Sequence, residues 1–191
     1  MNKDKKTIRQ KNEQIRQLNN KIDLLESKID LLETKLEYYR ELALVDNLTK
    51  LYNRRALIEN KGYNSVIFAD IDHFKEINDK YGHDAGDKIL VELGDFFRSN
   101  IRETDCAIRY GGDEFLILLK NCPVNEAFEK AKQLRENLSK FNQKFNHNIT
   151  MSFGVSNLSD KTLEESIKEA DSAMYESKDA GRDTITLYEL K

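Results

Sequence analysis

The sequence has little cysteine and no long apolar segment. Its two cysteines, Cys106 and Cys122, lack the CxxC spacing of a zinc or redox site, so we predict two reduced thiols in the core. No segment approaches the roughly 18 consecutive apolar residues that a membrane-spanning helix needs. The N-terminal stretch "MNKDKKTIRQKNEQ" also lacks the apolar segment of a signal peptide. These absences predict a cytoplasmic protein with no membrane segment.

The chain also lacks a charge excess of either sign. Its 31 basic and 34 acidic residues give a net charge of −3, so bulk charge favours neither duplex nucleic acid nor an anionic membrane as a partner. The phosphate-binding pattern GxxxxGK[ST] does not occur. Any polyphosphate must therefore be bound locally, by a different arrangement of residues.

Apolar residues recur every seven positions near the N-terminus. One row consists of Ile8, Ile15, Ile22, Ile29 and Leu36, and the other of Leu18, Leu25, Leu32 and Tyr39. Isoleucine in the first row with leucine in the second favours a parallel two-stranded coiled coil. Lys11 interrupts the second row near its start. The alternative is a single amphipathic helix lying on the globular part, but four unbroken heptads favour a parallel homodimer.

The rest of the chain alternates between strand and helix patterns. We predict a coiled-coil helix over residues 1–45 and a domain over 46–191, with Asp46 or Asn47 capping a new helix. The segments "NSVIFADI", "CAIRY", "FLILLK", "NITMSFGVS" and "TITLYEL" predict strands. Helices are predicted at "DAGDKILVELGDFFRSNI", Val124 to Phe141, and "TLEESIKEADSAMYESK". This order is the β-α-β-β-α-β plan of an α+β ferredoxin-like domain, with a further helix and strand at the end.

Acidic residues follow the first predicted strand and fill the turn of the predicted hairpin. In "FADIDHFK", Asp70 and Asp72 share one face of the strand and Ile71 points to the other. If this strand lies beside the hairpin, Asp70 and the acids of "RYGGDEF" converge at one end of the sheet. Such carboxylates repel unless a cation joins them, and Mg²⁺ binds one or two carboxylates together with substrate phosphates. The glycines are expected to supply positive backbone angles and close ligand approach; taken alone, "GGDE" fits a solvated turn equally well.

The segments "FADIDHFKEINDKYGHDAGDKIL" and "RYGGDEF" resemble the signatures of the GGDEF-domain family. These are the diguanylate cyclases, which condense two GTP into cyclic di-GMP. The resemblance covers roughly Leu44 to Glu189 and includes "DNLTKLYNRR" and "AMYESKDAGR". It implies a palm-type nucleotide cyclase domain with a mixed, mainly antiparallel sheet, and a divalent metal, Mg²⁺ or alternatively Mn²⁺.

The resemblance also implies roles for the acidic residues. Asp70 and Asp113 would supply metal-binding carboxylates, and the main-chain carbonyl of Ile71 a further ligand. Asp113 is the candidate proton acceptor, and the share of Glu114 in the catalytic step stays open. Asp72 is expected to support the turn, with less weight as a ligand.

The same resemblance places guanine contacts at Asn78 and Asp87, with His83 close by. One carboxylate can accept both the N1–H and the exocyclic amine of guanine, whereas adenine has no such pair of donors. Asp87 therefore favours GTP over ATP. The alternative is that Asp84 caps a helix and Asp87 interacts with the helix dipole.

Two cations match the phosphate-binding residues of the family, Lys178 and Arg182. Without the resemblance, both would fit a helix C-terminus, where basic side chains are favourable in any protein. Asp183 follows Arg182 where the family frequently has Asn. Backbone amides around His73, Phe74 and Lys75 would complete the phosphate contacts.

The stretch "RETD" matches the RxxD product-inhibition site of the family, which implies that Arg102 and Asp105 bind cyclic di-GMP. RxxD is a common surface ion pair when it stands alone. A second arginine often completes the family site, and Arg135 is available for it.

The predicted dimer and the predicted chemistry fit together, because closing a cyclic product from two GTP requires two half-sites facing each other. The first alternative is an inactive GGDEF module that binds GTP or cyclic di-GMP as a signalling scaffold. The second is a purely structural dimerisation protein, which leaves the polar motifs unexplained. Input would come from an upstream sensor partner, from a segment outside this chain, or not at all.

Overall fold

The computed structural model describes residues 2–58, 62–144, 148–159 and 161–189. The chain divides into two compact units, with the division between Ala43 and Leu44. The first unit is a single helix, α1 (Asn2–Leu44), of 43 residues. The apolar side chains of both heptad rows lie exposed along it, from Ile8 at 58% to Tyr39 at 64%.

The second unit is a six-stranded sheet with helices on both faces. Its elements are β1 (Tyr52–Asn53), β2 (Tyr63–Ile71), α2 (Phe74–Tyr81), α3 (His83–Asn100), β3 (Cys106–Arg109), β4 (Glu114–Lys120), α4 (Val124–Phe141), β5 (Met151–Asn157), α5 (Leu163–Asp179) and β6 (Ile185–Leu187). The strand order is β1-β3-β4-β2-β5-β6. The two outer pairs are parallel and the three inner pairs are antiparallel. The predicted ferredoxin-like plan with a mixed, mainly antiparallel sheet is confirmed.

Strand β2 lies at the centre of the sheet and is buried on both faces. Alternate side chains divide between two apolar clusters, as the two-residue period of a strand requires. Ile67, Ala69 and Ile71 pack with residues of α3 and α4, whereas Val66 and Phe68 pack with residues of α5. A residue near the C-terminal end of β2 therefore faces α5 when its number is even.

The helix predicted after Asp46 or Asn47 is wrong. Asp46 Oδ1 accepts a hydrogen bond from the amide of Thr49 at 2.8 Å, as a helix cap does, but Lys50 has a left-handed φ of 58°. The chain therefore turns back, and the amide of Asp46 donates to Leu51 O at 2.8 Å. A two-residue strand and a 3-10 helix, Arg54–Ile58, follow in place of an α-helix.

The sequence prediction also missed α2, a separate helix of eight residues. Its two core contacts, Phe74 and Ile77, are half-buried against the main cluster. So short an apolar pattern gives little periodic signal. Both cysteines are buried and neither forms a disulfide, as predicted. In the part of the chain that the structure describes, no helix combines the length and the apolar character needed to cross a bilayer. Leu190, the end of the predicted last strand, lies outside the described residues.

Helix α5 approaches the sheet closely at Gly154 in β5. A Cβ atom at this position would overlap Ala170 O and Met174 N, which are backbone atoms of α5. Only glycine allows the helix to lie at this depth, because backbone of a packed helix cannot move aside as a flexible side chain can. The same helix carries Lys178, one of the two predicted phosphate-binding cations.

We predict that Gly154→Ala lowers the free energy of unfolding by about 1–3 kcal/mol, because the added methyl group overpacks the interface between helix and sheet. Urea unfolding at fixed protein concentration measures the change. Gly112→Ala is the matched control, since a Cβ at Gly112 meets nothing within 4 Å, and it should leave the midpoint nearly unchanged. Equal midpoints for Gly154→Ala and wild type would contradict the close approach.

Candidate active site

The central pairing of the sheet brings the predicted carboxylates together. In the register of β2 and β4, Asp70 lies directly opposite Glu114. One residue further on, the amide of Ile71 donates to the backbone oxygen of Asp113 at 3.3 Å. Asp70 faces α5 and is only 6% exposed, whereas the side chain of Ile71 points into the core on the other face. The predicted convergence of Asp70 with the acids of the hairpin is present in the structure.

The turn between β3 and β4 is held by backbone and by Arg109. The amide of Tyr110 donates to Glu114 O at 2.9 Å, and Arg109 Nη2 donates to Gly112 O at 2.8 Å. The prediction of positive φ angles at the glycines of this turn is wrong, because neither Gly111 nor Gly112 has a positive φ. A loop of this length closes without them. Gly111 makes room for the Glu114 carboxylate, since a Cβ at Gly111 would overlap Glu114 Oε2 unless that side chain moved.

Asp70 is a buried carboxylate next to other acids. Burial raises its pKa to about 6, the charges of Asp113 and Glu114 raise it as well, and the hydrogen bond and charge of Lys178 oppose the increase. Lys178 Nζ lies 2.8 Å from Asp70 Oδ1. The cluster therefore attracts cations, because a positive charge relieves both the desolvation and the repulsion.

Glu114 has two charged neighbours that the sequence prediction did not identify. Burial raises the pKa of the Glu114 carboxyl, the charges of Asp171 and Asp113 raise it further, and the charge of Arg54 lowers it. Arg54 also lies over the ring of Tyr110, 4.5 Å from its centroid. Asp171 stands seven residues before Lys178 in α5, which is two helical turns and hence the same face; this spacing is the signal that could have revealed it.

The donor set fits a metal ion that is shared with a substrate. Among the described residues, no group of three or more His, Cys, Asp or Glu side chains is arranged to hold an ion alone. Mg²⁺ in proteins is commonly bound by one or two carboxylates, with substrate phosphates completing its shell. Asp70 and Asp113, with the carbonyl of Ile71 at the same edge, match that smaller donor set.

Asp72 has a structural role and is the best-connected acid of the site. It is 4% exposed and accepts hydrogen bonds from Ser152 Oγ at 2.7 Å, Thr150 Oγ1 at 2.8 Å and the amide of Asp183 at 3.0 Å. These bonds use both carboxylate oxygens. Asp72 therefore joins the ends of β2 and β5 to the turn after α5, in line with the expected support of a turn.

The predicted guanine contacts lie on α2 and α3. Asn78 is on α2, and its Oδ1 is buried without a hydrogen-bond partner. His83 and Asp87 lie exposed in the first turns of α3. Gly86 makes room for Asn78, because a Cβ at Gly86 would overlap Asn78 Oδ1. The proposed alternative of an Asp84 cap is wrong, since the N-cap is Gly82 and no side chain caps the helix.

Helix α2 is separated by two residues from the C-terminal end of β2, where Asp70 and Asp72 lie. Its N-cap, His73, has a left-handed φ of 56° and makes no capping bond from its side chain. Phe74 is half-buried against the core and Lys75 is exposed. Helix N-termini bind phosphate through backbone amides, so this position suits the predicted phosphate contact.

The C-terminus of α5 carries both predicted cations. Lys178 lies at Asp70, as described above, whereas Arg182 is exposed in the turn that follows the helix. The amide of Arg182 donates to Ser177 O at 3.1 Å, and Gly181 has a φ of 113°. This is the geometry of a Schellman helix end.

Arg102 and Asp105 line a cavity of about 400 Å³, away from the carboxylate cluster. Asp105 accepts from the amides of Arg102 and Lys120, both at 3.1 Å, which fixes the loop. The cavity is completed by Leu119, Cys122, Asn125, Glu126, Glu129, Lys130 and Gln133. Arg135 is not among the lining residues and instead forms an ion pair with Asp183 at 2.8 Å. Gln133 and Lys130 stand on the α4 side of the cavity, where a second arginine was expected.

Comparison with known proteins identifies the family. The sequence model described as "Diguanylate cyclase, GGDEF domain" matches residues 43–184. Diguanylate cyclase A of Treponema denticola is 36% identical over 157 residues, which are 80% of this chain and 42% of the relative. A diguanylate cyclase of Vibrio cholerae is also 36% identical, over 80% of this chain and 52% of the relative. The chain thus spans about half the length or less of these curated relatives.

Solved structures agree with the sequence comparison. The coiled coil and GGDEF domain of DgcB from Caulobacter crescentus, in complex with c-di-GMP, matches with a TM-score of 0.73 and 26% identity, over 89% of this chain and 98% of that one. Diguanylate cyclase SiaD from Pseudomonas aeruginosa, in complex with its activator SiaC, gives a TM-score of 0.75 and 28% identity, over 92% and 73% of the chains. The predicted resemblance is confirmed, and the chain belongs to the GGDEF-domain family.

Proposed function

We propose that this chain is a diguanylate cyclase that condenses two GTP into cyclic di-GMP and releases two pyrophosphates. The observation that carries the proposal is Asp70 facing Glu114 across the β2–β4 pair, beside Asp113 and Lys178. Named diguanylate cyclases at 36% identity support it. Each subunit would bind one GTP, with its triphosphate at the carboxylate cluster and its guanine at Asn78, His83 and Asp87.

The residues of the cluster divide the chemistry between them. In each of two steps, the 3′-oxygen of one GTP forms a bond to the α-phosphorus of the other, and the bond to pyrophosphate breaks. Asp70, Asp113 and the Ile71 carbonyl would hold Mg²⁺, or alternatively Mn²⁺, which when bound polarises the phosphate and eases loss of the hydroxyl proton. Asp113 would accept that proton. Glu114 is a second candidate, because its raised pKa makes it a better proton acceptor than an exposed glutamate.

The positive groups around the cluster would orient the triphosphate. The amides at the start of α2, near Phe74 and Lys75, would contact the triphosphate from one side, and Lys178 and Arg182 after α5 would contact it from the other. Arg182 can bind a phosphate through two hydrogen bonds, whereas Lys178 acts as a point charge. In-line placement of the reacting atoms contributes a large part of such a rate enhancement.

Helix α1 would supply the second half of the reaction centre. Its two apolar rows are exposed along the helix, and a parallel coiled coil would bury them. In that pairing, Lys21 and Lys28 lie opposite Glu26 and Glu33 of a second copy, which favours the parallel register. The homodimer would hold two GTP-loaded domains near each other, so that the second encounter becomes intramolecular.

The cavity at Arg102 is the proposed site of product inhibition. Arg102 and Lys130 give it two cations for a cyclic dinucleotide, and Asp105 holds the loop in place. The carboxylates of Glu126 and Glu129 line the same cavity and oppose anion binding. Binding of cyclic di-GMP there would restrain the domain and lower the rate.

The first prediction concerns the product. Mass spectrometry of the nucleotides formed from GTP and Mg²⁺ should show cyclic di-GMP with wild type. Asp70→Asn and Asp113→Asn should each lower its rate of formation roughly a hundredfold or more, since both lose a metal ligand and Asp113→Asn also loses a proton acceptor. Asp95→Asn, an equivalent change at an exposed acid of α3, should keep the wild-type rate. If wild type forms no cyclic di-GMP, the chain is a binding module and the enzyme proposal is wrong.

The second prediction concerns the dimer. Replacing Ile22 and Ile29 together with lysine places four charges in the seam of a dimer, so light scattering should show a monomer at micromolar concentration. The rate of cyclic di-GMP formation per chain should fall roughly tenfold or more, since encounters then depend on protein concentration. Replacing Ser27 and Thr34 with lysine adds the same charge outside the seam and should change neither result. A monomeric variant with the wild-type rate would contradict the role of α1.

The third prediction concerns product inhibition. Arg102→Ala removes one cation from the cavity and should raise the concentration of cyclic di-GMP that halves the rate by roughly tenfold, a typical effect of losing a charge-assisted contact. Lys140→Ala, a change at an exposed residue of α4 outside the cavity, is the control. Equal inhibition of wild type and Arg102→Ala would refute the assignment.

A further inference from the structure

The turn after α5 has an unusual backbone. Gly181, Arg182 and Asp183 have φ angles of 113°, 66° and 43°. Glycine adopts such angles freely, but a left-handed conformation is unfavourable for arginine, and aspartate adopts it only occasionally. Two such residues in succession persist only where surrounding contacts hold them, and such segments concentrate at functional sites. The contacts that hold this turn therefore indicate whether its conformation serves a function.

Two contacts hold Asp183, one through its backbone and one through its side chain. Its amide donates to Asp72 Oδ2 at 3.0 Å. Its carboxylate accepts from Arg135 Nε at 2.8 Å and from Arg135 Nη2 at 3.1 Å. The second contact is a two-point ion pair between the turn and α4, and such a pair fixes direction as well as distance.

The first contact, from the Asp183 amide to Asp72, connects the turn to the C-terminal end of the central strand β2. Asp72 is buried and is itself fixed by Thr150 and Ser152 of the neighbouring β5 segment. It stands two residues after Asp70. Asp183, the residue that follows Arg182, is thus held by one contact at the end of β2 and by another on α4.

We propose that Asp183 and Arg135 are positioning residues, whose ion pair holds Arg182 in the conformation that presents its guanidinium to the phosphates of GTP. The proposal rests on the proposed function, since it assumes phosphates beside Asp70. The pair is partly exposed, at 45% for Asp183 and 41% for Arg135, so its effect on global stability is small. Its effect is local, because a small displacement of a phosphate-binding side chain weakens binding directly.

Asp183→Asn tests the ion pair without changing the backbone hydrogen bond to Asp72. Asparagine tolerates the left-handed conformation and keeps the backbone amide that bonds to Asp72, while the charge and one of the two acceptors for Arg135 are lost. We expect the dissociation constant of GTP with Mg²⁺, measured by calorimetry, and the KM for GTP both to rise about threefold to fivefold, within the range of an exposed ion pair. The kcat should stay within about twofold, since the reacting groups are unchanged.

A double-mutant cycle distinguishes positioning from a general loss of structure. Arg135→Gln should weaken GTP binding as much as Asp183→Asn, and the double variant no more than either one alone. Arg135→Lys keeps the charge without the two-point geometry and should give an intermediate dissociation constant. Additive effects, or GTP binding by Asp183→Asn equal to wild type, would overturn the proposal. Failure of wild type to bind GTP would instead overturn the proposed function on which it rests.

Discussion

The buried carboxylate of Asp70 is the constraint on which the site depends. It lies at the end of the central strand with Glu114 opposite it, and burial raises its pKa to about 6. Such a group requires a cation, and the fold directs one toward it from α5, where Lys178 lies at 2.8 Å. The same electrostatic demand makes the position suitable for a divalent ion that carries phosphates. Gly154 contributes indirectly, because it lets α5 approach the sheet closely.

Asp70 and Asp72, two residues apart on the same side of the sheet, have different roles. Both face the α5 side, but Asp70 lies among charged groups at the hairpin, whereas Asp72 is saturated by three hydrogen bonds from β5 and the turn after α5. One acid is thus available to a ligand and the other fixes the backbone around it. Helix α4 adds a second connection, because it lines the Arg102 cavity and also carries Arg135.

Those parts of the site that follow from local periodicity could be predicted from the sequence. The two-residue period of a strand placed Asp70 and Ile71 on opposite faces, and "GGDE" was expected near Asp70 if the hairpin paired with the central strand, as it does. The contacts of Asp183 could not be predicted in this way, since its partners Asp72 and Arg135 are 111 and 48 residues away in the chain. The predicted helix after Asp46 failed because a left-handed Lys50 stops a turn that begins like a helix.

The proposed guanine site illustrates the same limit. Asn78 and Asp87 were identified by resemblance, but the condition that allows Asn78 to lie against α3 is the missing side chain of Gly86. The only sign of such a close helix contact in the sequence is a glycine. A single glycine can have many other causes, so the contact could not be predicted from it. The proposed dimer is the reverse case. The heptad rows of α1 are evident in the sequence, and their exposure in the structure gives a physical reason for the proposed pairing.

The most direct test of this account is the position of a metal ion in crystals grown with Mn²⁺ and a non-reactive GTP analogue. Anomalous diffraction at the manganese edge locates the ion without assumptions about the surrounding atoms. The account predicts a peak within coordination distance of Asp70 and Asp113, with the analogue's phosphates on the ion and its guanine near Asn78 and Asp87. A nucleotide bound with no metal at Asp70, or a metal at another place on the sheet, would contradict it.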